Sequence, residues 1–281
     1  MNTQSKSLAS LIAVGLLSLA GVATGATTAE SCAAGEILNA VKGGKFCLAV
    51  ETLKGKTEVD SGGALIVVLH GDGSRGGPTD YHYRIAREAA ADHADATAVA
   101  ILRPGYEDSK GKKSDGRDNG RRDHYTPENI DSVAAVIKSL RDHYRPTRVL
   151  LIGHSGGSAF TGVILGRHPG LVDGAVLASC PCDIPRWRQL SGSGSWPNSL
   201  SPASFADKVP VTARVVALTG GNDKNTTPSL ARNYVESLTR RGVAAEFREI
   251  PGATHDMDGA LRAATREAIK TLLTALTVAP K

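Results

Sequence analysis

Short apolar runs rich in β-branched residues recur along the chain, separated by amphipathic or polar stretches. Runs at 64–70, 97–102, 148–152, 171–179, 213–218 and 245–250 are too short for helices. The apolarity of 64–69, 97–102, 149–152 and 213–218 predicts strands buried on both faces, and 171–179 and 245–250 are read as further strands in the same alternation. A further short strand is expected over 45–52. Helices are expected over 79–91, 159–167, 229–241 and 257–275. The clearest helix start is Thr126-Pro127-Glu128, with threonine as cap and proline in the first turn. Ile130, Val133, Ala134, Ile137, Leu140 and Tyr144 then fall on one helical face. Segment 105–125 is polar and aperiodic, which predicts a long surface loop. Residues 183–210 also break the rhythm, and 183–205 is a candidate lid or insertion loop. Apolar strands alternating with helices predict an α/β fold: a mostly parallel central sheet with helices on both faces. No linker-like gap interrupts the alternation, so 27–281 is expected to form a single domain.

The chemistry sits where these runs stop. The run 149–152 ends in Gly153-His154-Ser155-Gly156-Gly157 and passes into a small-residue segment. A serine alcohol becomes a useful nucleophile when a tight strand-to-helix turn exposes it and a base takes its proton. Flanking glycines permit such a turn. The run 213–218 opens into a loop carrying Asp223, and 245–250 opens into Pro251-Gly252-Ala253-Thr254-His255. Ser155, Asp223 and His255 thus follow three strands in the order nucleophile, acid, base. Asp256 and Asp183 compete for the acid, but one adjoins the base and the other follows a different strand. His154, His70 and His168 compete for the base. They read respectively as a turn residue, a support for an early loop, and a surface residue. That early loop, His70-Gly71-Asp72-Gly73, follows the strand at 64–69. Acyl transfer needs amide donors facing a developing oxyanion. Gly156 and Asp72 are the candidates, through their main-chain N–H groups, with Gly71 or Gly73 as alternatives to Asp72.

On these residues the chain resembles the α/β-hydrolase superfamily over roughly 45–277. Within it, the chain is similar to secreted bacterial esterases of the feruloyl-esterase and polyhydroxyalkanoate-depolymerase kind. It is also similar to the catalytic domain of prolyl-oligopeptidase-like serine peptidases, without their propeller-sized N-terminal region. The resemblance implies a serine hydrolase that forms an acyl-enzyme, acts on a small or polymeric carboxylic ester, and needs no metal or organic cofactor. A peptidase is the alternative, and a non-catalytic binding protein on the same scaffold is the third reading.

Composition narrows the setting. The chain has 281 residues, 41% of them hydrophobic, and a formal charge of +5. The densest basic patch holds Lys110, Lys112, Lys113, Arg117, Arg121 and Arg122, interrupted by Asp115 and Asp118. It contains no stacking aromatics, so nucleic acid is not expected as a partner. It reads as a solvated loop, with contact to an anionic substrate as the alternative. Lys6, the apolar stretch 8–22 and Thr24-Gly25-Ala26 form a signal-peptide pattern over 1–26, too short for a membrane span. Export to the periplasm or medium is expected, with no membrane attachment after cleavage. In that setting the four cysteines are legible as disulfides. Cys32–Cys47 is the favoured pair, whereas Cys180 and Cys182 form a local bridge or stay thiols. Trp187 and Trp196 lie in the irregular segment beyond a strand end. They either stack on a substrate ring or pack that segment onto the body.

Overall fold

The expected strands pair into one eight-stranded sheet in the computed structural model, which describes Met1, Cys32 and residues 39–56, 62–73 and 76–278. Residues 2–26 of the expected leader lie outside the described residues. The strands are β1 (Ala40–Gly43), β2 (Phe46–Lys54), β3 (Ala64–Leu69), β4 (Ala96–Ile101), β5 (Arg148–His154), β6 (Gly174–Ala178), β7 (Arg214–Gly220) and β8 (Ala244–Ile250). Across the sheet they run β1-β2-β4-β3-β5-β6-β7-β8. The β1–β2 and β2–β4 pairs are antiparallel, and all later pairs are parallel. This is the α/β architecture with a mostly parallel sheet.

Helices α1 (Tyr81–Asp92), α2 (Pro127–Tyr144), α3 (Gly156–Arg167), α5 (Pro228–Arg240) and α6 (Gly259–Val278) cover the sheet, and the short α4 (Ile184–Leu190) lies in the segment after β6. Alternate residues of each strand feed opposite faces. Val149 and Leu151 enter a core shared with α2, α3 and α5, while Leu150 and Ile152 enter the core beneath α1 and α6. Each such side chain, once fully buried, contributes about 1.5–3 kcal/mol relative to exposure. The α2 start is as expected: Thr126 Oγ1 accepts from the Asn129 amide at 3.3 Å. Strand β8 is the edge, and there the pattern turns polar, with Glu246 and Arg248 paired at 2.7 Å.

Two segments depart from expectation. Segment 105–125 is irregular but not merely a surface loop, because Tyr106, Asp108, Ser114, His124 and Tyr125 are buried. Ser114 Oγ accepts from Ala49 N at 2.9 Å and Asp115 Oδ2 accepts from Cys47 N at 2.8 Å. These two polar side chains satisfy the open edge of β2, so part of a largely exposed polar segment is tied into the sheet. Segment 183–210 contains α4 and a 3-10 stretch, Pro202–Lys208, that packs on α3. Because β3, β5, β6, β7 and β8 are parallel, the loops after them emerge on one rim of the sheet, where ligands of open α/β sheets bind.

Candidate active site

Ser155 occupies the turn between β5 and α3 with φ 52° and ψ −121°, a conformation disfavoured for any residue with a Cβ. Two glycines make the turn possible. A Cβ on Gly157 would lie 2.5 Å from the His70 carbonyl oxygen, and one on Gly153 would overlap the Gly157 carbonyl. The close approach of β5, α3 and β3 therefore requires glycine at both positions.

The structure brings Ser155, His255 and Asp223 together. Ser155 Oγ lies 3.0 Å from His255 Nε2, and His255 Nδ1 lies 2.9 Å from Asp223 Oδ2. Asp223 is buried, and its Oδ1 accepts from the amides of Asn225 and Thr226, each at 2.9 Å. Its Oδ2 also accepts from Thr226 Oγ1 at 2.8 Å. Burial works to raise the Asp223 carboxyl, but His255 and Thr226 outweigh it and hold it below the usual carboxylate range. The carboxylate is thus ionised beside the imidazole. With Asp223 accepting, Nδ1 carries the proton and Nε2 presents its lone pair to Ser155.

The competing residues are engaged elsewhere. Asp183 caps α4 through Arg186 N at 3.0 Å, and Asp256 is exposed. His168 bonds Asp131 at 2.8 Å. His70 Nδ1–H donates to the Gly71 carbonyl at 2.7 Å and Nε2 accepts from Arg103 N at 2.9 Å. His154 has a larger part than a turn residue. Its Nε2–H donates to the His255 carbonyl at 2.8 Å, so its Nδ1 must accept, and it does so from Tyr81 Oη at 2.6 Å. Tyr81 Oη in turn accepts from the Gly71 amide at 2.6 Å. Burial, reinforced by His255, pushes His154 down to about 4, so the imidazole in this bridge is neutral.

That bridge bears on the amides expected to serve as oxyanion donors. The Gly71 amide is spent on Tyr81, whereas the amides of Asp72 and Gly156 donate to no group among the described residues. Gly156 opens α3, where N–H groups have no intrahelical acceptor. The Asp72 carboxylate fills the space a Cβ on Gly156 would need, so the two residues are in contact. Asp72 Oδ1 accepts from the wholly buried Arg103 at 2.7 Å and Oδ2 accepts from Tyr125 Oη at 2.6 Å. Tyr81, Arg103, Tyr125 and Thr226 were not signalled by the strand-end pattern. Only Thr226 had a local cue, an aspartate three residues earlier of the kind that closes an Asx turn.

A cleft of about 790 Å³ opens over Ser155 and His255. Trp187 and Trp196 line it while packing edge-to-face at 5.1 Å. Trp187 is buried, and its indole N–H donates to the Asn225 carbonyl at 3.0 Å, which fastens α4 to the loop bearing Asp223. Of the basic patch, Arg121 and Arg122 reach the cleft wall. Cys32 is bonded to Cys47, and Cys180 to Cys182 just beyond β6. Among the described residues no cluster of three or more His, Cys, Asp or Glu is placed to hold a metal ion, and no helix is long and apolar enough to cross a membrane.

Residues 66–206 match a family model described as the alpha/beta hydrolase family. No curated protein sequence matches the chain. Among solved structures, Est1E from Butyrivibrio proteoclasticus with ferulic acid bound superposes with a TM-score of 0.67 at 16% identity, covering 85% of this chain and 99% of that one. The propionate-bound thermophilic esterase Est2 from Thermogutta terrifontis gives 0.64 at 16% identity, with 88% and 98% covered. Acylaminoacyl peptidase from Pyrococcus horikoshii gives 0.62 at 13% identity, with 81% of this chain but 39% of that one covered.

Proposed function

The chain belongs to the alpha/beta hydrolase family, and from that footing we propose that it cleaves a carboxylic ester through Ser155, His255 and Asp223. In this reading His255 Nε2 takes the proton of Ser155 Oγ as the oxygen attacks the ester carbonyl. Asp223 fixes the imidazole tautomer and stabilises its protonated form. The tetrahedral oxyanion is received by the amides of Gly156 and Asp72. His255 then protonates the departing alcohol, and water, activated the same way, releases the acid and restores the serine. No step calls for a cofactor.

The observation that carries the proposal is the unbroken chain of contacts, 3.0 Å from serine to imidazole and 2.9 Å from imidazole to carboxylate, at the floor of an open cleft. Two similar structures hold carboxylic acids, ferulic acid and propionate, the product class of such a reaction. The fold shared with an acylaminoacyl peptidase keeps amide cleavage as a second reading, since the machinery is the same. The proposal extends to setting and organisation. Two disulfides fit an oxidising compartment, in keeping with a cleaved leader over 1–26 and a secreted or periplasmic protein. Residues 27–281 then form the catalytic domain, with 183–205 shaping the cleft.

A fluorophosphonate probe should label Ser155 in the folded protein and fail on Ser155→Ala. No adduct would leave a binding protein on the hydrolase scaffold. A panel of 4-nitrophenyl acyl esters, feruloyl esters and aminoacyl anilides separates the remaining two. Anilide turnover exceeding every ester would replace the esterase reading with the peptidase.

A further inference from the structure

The cleft wall is cationic beyond what the proposed chemistry uses. Arg122, Arg188 and Lys224 reach it from three separate segments, and none has a carboxylate partner among the described residues. Arg121 is different, because it pairs with Asp118 at 3.5 Å and donates to the Gly73 and Gly77 carbonyls. Among the described residues two carboxylates, Asp72 and Asp256, line the same space. Asp72 is spent on Arg103 and Tyr125, which leaves only Asp256 to oppose the three free cations.

Arg188 is the built member of this group. Its guanidinium carbon lies 4.7 Å from the Trp196 ring centre and 5.2 Å from that of Trp187, and its Nε donates to the Gly194 carbonyl at 2.9 Å. These contacts hold the side chain in place. Its two terminal nitrogens have no partner among the described residues. A guanidinium fixed by stacking, with its fork left open, suits a planar oxyanion held by two hydrogen bonds. Because the ordering of the side chain is already complete before binding, less is lost when an anion arrives.

Resting on the esterase reading, we infer that the substrates carry a second, negatively charged group of the carboxylate class, and that Arg188 receives it. Arg122 and Lys224 then add field rather than fixed contacts. The two tryptophans act as the platform for that arginine. This accounts for indoles that line the cleft yet are already packed against one another.

The test compares charged esters with neutral partners of like size. Mono-4-nitrophenyl glutarate against 4-nitrophenyl pentanoate places the charge on the acyl side, and 4-acetoxybenzoate against 4-acetoxybenzamide places it on the alcohol side. At about 0.02 M salt at least one charged probe should exceed its partner in kcat/KM by about five- to tenfold, and the ratio should shrink towards one at about 0.5 M. Arg188→Met keeps the apolar stem over the indoles and should lower the ratio by about three- to fivefold. The remote control Lys42→Gln, on β1, should leave it unchanged. Turnover of the neutral esters with both ratios at or below one and insensitive to salt overturns the inference but not the esterase reading. A ratio that survives Arg188→Met removes Arg188 from the role. Failure to hydrolyse any ester, with no labelling of Ser155, overturns both.

Discussion

Arg103 is wholly buried, yet its Nη2 meets Oδ1 of Asp72 at 2.7 Å directly beneath the loop that faces Ser155. Burial opposes the Arg103 charge, but Tyr106, Asp72 and Tyr125 outweigh it and keep the guanidinium ionised. If the Asp72 and Gly156 amides receive an oxyanion as proposed, a bare carboxylate beside them would repel that charge. The guanidinium cancels that repulsion, while the pair holds the Asp72 main chain against Gly156.

Breaking this pair should therefore damage stability and rate together. Arg103→Met leaves Asp72 without its counter-charge, with an expected loss of about 3–5 kcal/mol in urea unfolding. Its kcat should fall about 10²-fold. Asp72→Asn alone strands a buried cation and should be similarly destabilised. The double variant should recover at least about 1 kcal/mol relative to the sum of the single losses. Strict additivity would show that the two charges are not coupled.

The Asp223 carboxylate supplies a separate handle. Asp223→Asn should lower kcat by about 10⁴-fold by upsetting the imidazole tautomer. Thr226→Val removes the hydroxyl donor to that carboxylate and should lower kcat about tenfold. If Thr226→Val matches wild type in steady-state kinetics, the hydroxyl has no part in orienting Asp223.

Tyr81 links the oxyanion loop to the backbone of His255 through His154. Tyr81→Phe strands the Gly71 amide and His154 Nδ1, at an expected cost of about 1–3 kcal/mol. On the proposed mechanism the hydroxyl orients groups that act in the transition state, so kcat should drop about tenfold with KM nearly constant. A rise in KM at constant kcat would instead place Tyr81 in ground-state substrate binding.

Acid should weaken the fold well above the carboxylate range. Burial pushes His82 down to about 3 and His124 and His154 to about 4, and holds His70 well below its ordinary value. In the unfolded chain each takes up a proton near pH ~6.5. Stability is therefore full above that pH and is lost as pH falls from there towards the folded values. Between pH ~6.5 and ~4 the loss should be about 1.4 kcal/mol per pH unit for each histidine in transition. Urea midpoints at descending pH measure it directly, and a flat profile from pH ~7 to ~5 would contradict the buried neutral state.

Much of the candidate site could be read along the chain because Ser155 and Asp223 each follow an apolar run that stops abruptly at a loop, and His255 follows the next strand in the same alternation, although that strand, β8, is itself half polar. Their supports could not. Arg103 lies 31 residues from Asp72, and Tyr81 lies 73 from His154, so nothing local marks either pairing. Segment 105–125 is largely exposed, but Ser114 and Asp115 complete a strand edge from within it, a role indistinguishable by composition from solvent exposure. Helix α4 is seven residues long with Pro185 in its first turn, too short to show a helical period. Strand β1, at four residues, is shorter still.

The backbone at Ser155 has one last implication, for the relation between fitness to fold and fitness to react. On the esterase reading, a side chain is held where glycine is the comfortable residue, so reactivity at this position comes at the expense of durability. Ser155→Gly should yield an inert protein that melts higher than its parent, by the equivalent of about 1 kcal/mol once the looser unfolded chain is counted.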